Sequence, residues 1–140
     1  MSGFALPGAV EANTGLRADM ESIWDGTKYT DYYVGESGWH DNDVFIDSGL
    51  GYGVIGGYNN DILGMSVVDE NSVTVNGGTV SGNIYGGYAD RSTWVSDNTV
   101  TLSGTADMSK ASLYGRNSEA HGTDNNLVID SWSGKVKSLN

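Results

Sequence analysis

Cysteine is absent from the 140 residues, which excludes disulfides, thiolate metal sites and cysteine nucleophiles. Secretion stays open, because long repetitive surface proteins are held together by stacking. Proline occurs once, at Pro7. Basic residues are scarce: seven Lys and Arg stand against 18 Asp and Glu, for a formal net charge of -11. Binding to a phosphate backbone needs clustered Lys and Arg, and only Lys135 and Lys137 come near to a pair. Nucleic acid is therefore not an expected partner, and an anionic membrane surface is disfavoured for the same reason. No run of about 18 apolar residues exists, so no helix is expected to insert into a membrane. The opening stretch, MSGFALPGAVEA, has no Lys or Arg ahead of its apolar part and so lacks the charged region of a secretory signal. The expectation is that a signal has been removed or that the chain is a fragment.

What the chain does have is glycine, 21 residues of it, with 38% apolar residues. The apolar content suffices for a core and argues against disorder. Glycine at this density without proline points to many tight turns rather than to collagen.

Internal repetition is the main signal. Gly53-Val54-Ile55-Gly56-Gly57-Tyr58 aligns with Asn83-Ile84-Tyr85-Gly86-Gly87-Tyr88, and a weaker third copy reads Ser112-Leu113-Tyr114-Gly115-Arg116. Each is followed by a polar stretch and then by an Asn-x-apolar-x-apolar segment. Those segments begin at Asn71, Asn98 and Asn125, with an earlier one at Asn42; the steps between them are 29, 27 and 27 residues. Two motifs recurring in one order at nearly one step are hard to obtain by chance.

Within each segment, as in Val73-Thr74-Val75 and Val100-Thr101-Leu102, apolar and hydroxyl residues alternate with the period of a strand buried on one face. Turn signals follow at Asn76-Gly77-Gly78 and Ser103-Gly104. One such unit cannot bury its apolar face alone, whereas stacked units share a continuous core. The expected fold is all-β: a β-solenoid of about four coils. Val73, Val100 and Leu127 form one internal ladder, and Ile55, Ile84 and Leu113 a second. Asn42, Asn71, Asn98 and Asn125 stack at a corner where amides bond along the column. Consecutive hairpins in a meander or sandwich are the alternative. Residues 1-30 do not repeat and are assigned to an N-terminal cap. It holds a short helix starting at Thr14, with Leu16, Met20, Ile23 and Trp24 on one face and Gly26 ending it. Residues 31-140 are assigned to the solenoid.

The stretch Val73-Thr74-Val75-Asn76-Gly77-Gly78-Thr79-Val80-Ser81-Gly82-Asn83-Ile84-Tyr85-Gly86-Gly87-Tyr88 resembles repeats in the passenger regions of Gram-negative autotransporters and haemagglutinin-like adhesins. The resemblance spans roughly residues 42 to 130 and is clearest in the middle two copies. It implies a right-handed parallel β-helix, a bacterial cell-surface or extracellular location, and no catalytic residues. It departs at Arg116, which replaces a second glycine, and at Trp132. It also lacks the C-terminal membrane barrel of an autotransporter, which implies a fragment, a processed product or a short relative.

The candidate ligand or partner face consists of Tyr52, Tyr58, Tyr85 and Tyr88, an aromatic strip suited to glycans or to a protein neighbour if the rings fall in register. Calcium is the one cofactor candidate, at Asp41-Asn42-Asp43 or Asn59-Asn60-Asp61; turn-forming Asn and Asp account for the same residues more simply. His40 and His121 have no fixed-spacing partners, although Glu119 lies two residues before His121, and both are read as solvated loop residues. No nucleophile elbow surrounds a serine and the carboxylates fall mostly in turns, so the chain is not expected to be an enzyme. The leading expectation is a surface-adhesin segment binding host or cell-surface glycans or proteins. A self-assembling filament subunit is second, and a glycan-binding or glycan-cleaving β-helix module third.

Overall fold

A computed structural model describes residues 13–24, 26–59, 67–89, 94–117 and 121–140. Among these the chain contains twelve strands and no helix. In chain order they are β1 (Leu16–Trp24), β2 (Tyr29–Gly35), β3 (Asp43–Ile46), β4 (Gly53–Asn59), β5 (Val68–Asp69), β6 (Ser72–Val75), β7 (Ile84–Ala89), β8 (Val95–Ser96), β9 (Thr99–Gly104), β10 (Asp107–Arg116), β11 (Asn126–Trp132) and β12 (Lys135–Leu139).

They wind into a β-solenoid of about three turns. A four-stranded sheet in the order β11-β9-β6-β3 faces a six-stranded sheet in the order β1-β2-β4-β7-β10-β12, and β5 and β8 pair along a short third side. Every pairing between these strands is parallel except that of β1 with β2. Hairpins in a meander or sandwich would pair antiparallel, so the consecutive repeats are stacked coils. Four rungs on the four-stranded face enclose three complete turns, which corrects the count of four coils.

Alternation along β6 and β9 determines which residues go inward. Val44, Val73 and Val100 are in register, continued by Leu127, and so are Ile46, Val75 and Leu102, continued by Ile129. From the opposite sheet Tyr33, Val54, Ile84, Met108 and Leu113 complete the core. Burying each such aliphatic side chain contributes roughly 1.5–3 kcal/mol. The expected column of Ile55, Ile84 and Leu113 is off by one. Val54 is the residue in register with Ile84 and Leu113, and Ile55 packs on the other face of the sheet with Val34 and Tyr32. The strand period of two means that a one-residue slip exchanges core for exterior.

The N-terminal segment corrects a second expectation. Leu16 to Trp24 form β1 rather than a helix. The spacing of Leu16, Met20 and Ile23 fits a helical face, but the local pattern is outweighed by the open edge of β2, which offers β1 a row of backbone partners. Leu16 and Ile23 are buried there. Just before it, Thr14 exchanges two backbone hydrogen bonds of 3.0 Å with Phe45 on the edge of β3.

Ahead of each ladder asparagine stands a residue with left-handed backbone: Asp41 (φ 55), Glu70 (φ 56), Asp97 (φ 58) and Asp124 (φ 60). Asp tolerates this region better than longer side chains do, and Glu70 is the exception in the series. Glu70→Asn is expected to stabilise the protein by about 0.5–1 kcal/mol. A urea titration followed by circular dichroism reads this as a higher midpoint; an unchanged or lower midpoint would show that the corner is not strained by Glu70.

Candidate functional site

Two features of the repeat converge on one corner. Asn42, Asn71 and Asn98 are buried, and their amides form a continuous column. Asn42 Nδ2 donates to Asn71 Oδ1, Asn71 Nδ2 to Asn98 Oδ1 and Asn98 Nδ2 to Asn125 Oδ1, each at 2.8 Å. Each acceptor oxygen also takes the backbone N–H of the preceding asparagine, at 3.0, 3.1 and 3.2 Å. The second amide proton of Asn71 goes to Trp39 O and that of Asn125 to Val95 O, while Asn98 Nδ2 also reaches Val68 O and Ser96 O. A buried amide is tolerable only when its donors and acceptors are filled in this way.

The paired glycines make room for this column. A Cβ on Gly57 would lie 2.2 Å from Asn71 Nδ2, and one on Gly87 2.7 Å from Asn98 Nδ2. Both glycines of each pair therefore face inward, and the tyrosine after them is carried to the outer face. The Asn motif and the Gly-Gly-Tyr motif are two halves of one corner.

On the outer face of the six-stranded sheet, Tyr58 is in register with Tyr88, and Tyr85 with Tyr114. Ring centroids are 5.9 Å apart for Tyr58–Tyr88, 5.1 Å for Tyr85–Tyr88, 5.9 Å for Tyr32–Tyr85 and 4.8 Å for the stacked pair Tyr85–Tyr114. Val34 and Ile55, fully buried, form the floor. Tyr32 lies over Gly53, where a Cβ would meet its ring at 2.7 Å. Tyr58, Tyr85, Tyr88 and Tyr114 remain half-buried, with part of each side chain in solvent. Burial pushes the Tyr85 hydroxyl well above the ordinary tyrosine value, with the neighbouring Tyr32 and Tyr114 adding to the shift, so its phenol stays neutral.

Of the four tyrosines expected in the strip, Tyr58, Tyr85 and Tyr88 come together. Tyr52 does not: its ring packs edge-on against Tyr33, 6.3 Å away, apart from the cluster. Tyr32 and Tyr114 were missed. For Tyr114 the signal was present, since it occupies the place of Tyr85 in the third repeat. Tyr32 has no Gly-Gly after it, and nothing in its local pattern distinguishes it from Tyr33.

The remaining candidates are dispersed. Asp41 Oδ2 lies 2.7 Å from His40 Nδ1, and Asp43 Oδ1 accepts the Ser72 hydroxyl at 2.5 Å. Among the described residues no three His, Cys, Asp or Glu side chains are grouped as metal ligands. Asn60, Asp61 and Glu119 lie outside the described residues, as does Pro7. His121 stacks against Trp94 with centroids 6.5 Å apart. Arg116, in register with Gly87, lines a shallow cleft with Tyr114, Gly115, Asn125 and Asn140. Among the described residues no helix is long and apolar enough to cross a membrane.

No protein-family model matches the chain, and no curated protein and no solved structure is significantly similar to it.

Proposed function

We propose that this protein is an adhesive segment of an extracellular β-solenoid, built like the passenger repeats of bacterial surface adhesins, and that it binds glycans through the tyrosines outside its six-stranded sheet. The observation that carries the proposal is the cluster of Tyr58, Tyr85, Tyr88 and Tyr114, half-buried outside the six-stranded sheet and held in ring contact with one another and, through Tyr85, with the buried Tyr32. Tyrosine rings offer apolar faces to the C–H surfaces of sugars and hydroxyls to their polar edges. The buried Val34 and Ile55 beneath them fix the rings before a ligand arrives, which lowers the ordering cost of binding. Contacts at one rung are weak, and repetition along the solenoid multiplies them by avidity.

The assignment is non-enzymatic and involves no cofactor; calcium at Asp41 and Asp43 plays no part in it. The winding is right-handed in this reading, because parallel strands joined by crossovers take that hand with few exceptions. The bacterial cell surface is the proposed location, where a rigid acidic rod provides reach and a repeated face.

Changing Tyr58 and Tyr88 together to Ser is expected to weaken binding on a glycan array about tenfold or more, while the circular dichroism spectrum stays that of the parent. Tyr32 is left in place because it is packed. Unaltered glycan binding by the folded variant would sink the proposal, as would a parent protein that binds only a protein surface.

A further inference from the structure

Basic residues are few and scattered along the chain, yet the fold gathers most of them. β10 and β12, neighbours in the six-stranded sheet, hold Lys110, Arg116, Lys135 and Lys137, four of the seven Lys and Arg. Asp107 is the one carboxylate on these two strands. Four positive charges against one negative give the pair a formal +3, in a chain whose total is -11. β4 and β7, which carry Tyr58, Tyr85 and Tyr88, have no charged residue. The tyrosines are therefore bordered by a positive strip on one side, while Asp19, Glu21 and Asp31 lie on β1 and β2 at the other.

Alternation puts the lysines on the same outer face as the rings. Val136 packs against the core, so Lys135 and Lys137 point away from it. Leu113 is in the core, which turns Tyr114 outward. Lys110, just ahead of the core residue Ala111, is exposed where the register between β10 and β12 shifts. All three lysines are exposed, and none is in an ion pair with another described residue. Asp107 accepts the Ser109 backbone N–H at 3.0 Å, which holds its carboxyl below the ordinary value; Lys135 and Lys110 lower it further, so both act on one point of this face. A coil stacked on β12 covers a strand edge and leaves the lateral face open.

Spacing and charge narrow the ligand. Lys137 falls beside Lys110, because Val136 pairs with Met108 and Ser138 with Ser112. Tyr114 is four residues from Lys110 along β10, roughly 13 Å at about 3.3 Å per residue. Between them Ser138 Oγ donates to Ser112 Oγ at 2.6 Å, which adds a polar stretch. A ligand that stacks on the Tyr85–Tyr114 pair and also meets the lysines is thus an oligosaccharide with a negative group away from its stacked ring. The overall charge of -11 repels a dense polyanion before contact, so an isolated carboxylate fits better than a heavily sulfated chain.

Resting on the glycan reading above, we infer that the tyrosine face takes acidic oligosaccharides: a sugar ring stacks on Tyr85 and Tyr114, and a sialic or uronic acid carboxylate is received by Lys110 and Lys137. Ammonium and carboxylate meet there in charge-assisted hydrogen bonds, and the positive strip orients the glycan along the sheet, from ring to acid.

The test is titration calorimetry with sialyllactose and with a short hyaluronan oligosaccharide, the two sources of a carboxylate, each beside a neutral oligosaccharide of equal length. A glutamate-rich peptide is the non-sugar anion. At low salt one or both acidic sugars are expected to bind at least ~5-fold more tightly than the neutral ones. That advantage should vanish at about 1 M salt, where the Debye length is about 3 Å. Lys110→Gln/Lys137→Gln should bring acidic binding down to the neutral level and leave neutral binding as it was. Lys28→Gln, which removes a charge outside the strip, should change neither. Thermal melts check folding of the variants, and the salt series on the parent needs no variant. Equal binding of acidic and neutral sugars, or a preference that survives in the lysine variant, would overturn the inference and leave the glycan reading standing. A glutamate-rich peptide bound as tightly as the acidic sugars would overturn it too. A parent that binds no sugar of either kind overturns the glycan reading and this inference together.

Discussion

Replacing Asn98 with leucine is expected to cost about 4–6 kcal/mol, a large part of the stability of an ordinary domain. Leucine is similar in size, so the loss comes from hydrogen bonds rather than volume. The substitution strands the Asn71 amide and backbone N–H, both of which donate to Asn98 Oδ1. It also removes the side-chain donor for Asn125 Oδ1, Val68 O and Ser96 O, although the Asn98 backbone N–H still donates to Asn125 Oδ1. Each buried polar group left unpaired costs roughly 1–3 kcal/mol, and Asn71 and Asn98 are at 1% and 0% exposure. The same change at Asn125 is expected to cost about half as much, because Asn125 is only half-buried and, among the described residues, the column is not continued beyond it. Urea denaturation followed by circular dichroism measures both. A cost below about 1 kcal/mol at Asn98, or equal costs at the two positions, would show that the amide column is not what holds the corner.

Gly57→Ala is expected to be nearly as damaging, at about 3 kcal/mol or more, although it adds one methyl group. The added carbon would occupy the position of the Asn71 amide, which its own hydrogen bonds hold in place on both sides. Either the amide is displaced and its bonds are lost, or the backbone of β4 moves out of register with β7. Gly51→Ala is the control, since nothing lies within 4 Å of that position, and it should change stability by no more than about 0.5 kcal/mol. The sharper measurement is a double-mutant cycle with Asn71→Ala. If the clash is with the amide, Gly57→Ala costs at least ~1 kcal/mol less once the amide is gone. Additive costs would assign the damage to the backbone instead.

These two results bear on why the repeat reads as it does. A strand needs neither a buried asparagine nor two adjacent glycines, and both are poor strand formers. Their recurrence at 29 and 27 residue steps reflects a three-dimensional pairing in which the glycines of one strand open the space that the asparagine of the next fills. The last repeat departs from the pattern where the constraint weakens, with Arg116 in the second glycine's place beside the half-buried Asn125.

The sequence by itself determined the repeat, the strands within the repeated units and the asparagine column. Each follows from a period of two within segments and about 27 between them, and a period is a local property of the chain. The inward column of Val73, Val100 and Leu127 was legible for the same reason. What only the tertiary structure decided was everything that depends on where one sheet edge meets another segment. Residues 16 to 24 carry a helical spacing of apolar side chains, and the free edge of β2 drew them into a strand. Val54, and not Ile55, entered the core because the strand's register was set by the Gly-Gly corner wrapped over Asn71. Tyr52 left the expected strip and Tyr32 joined it because rings on different coils meet according to sheet register, which no single coil encodes. That Ile129 and Leu139 are exposed while Leu102 and Leu113 in the same columns are buried is likewise invisible along the chain, because exposure belongs to the stack and not to the segment.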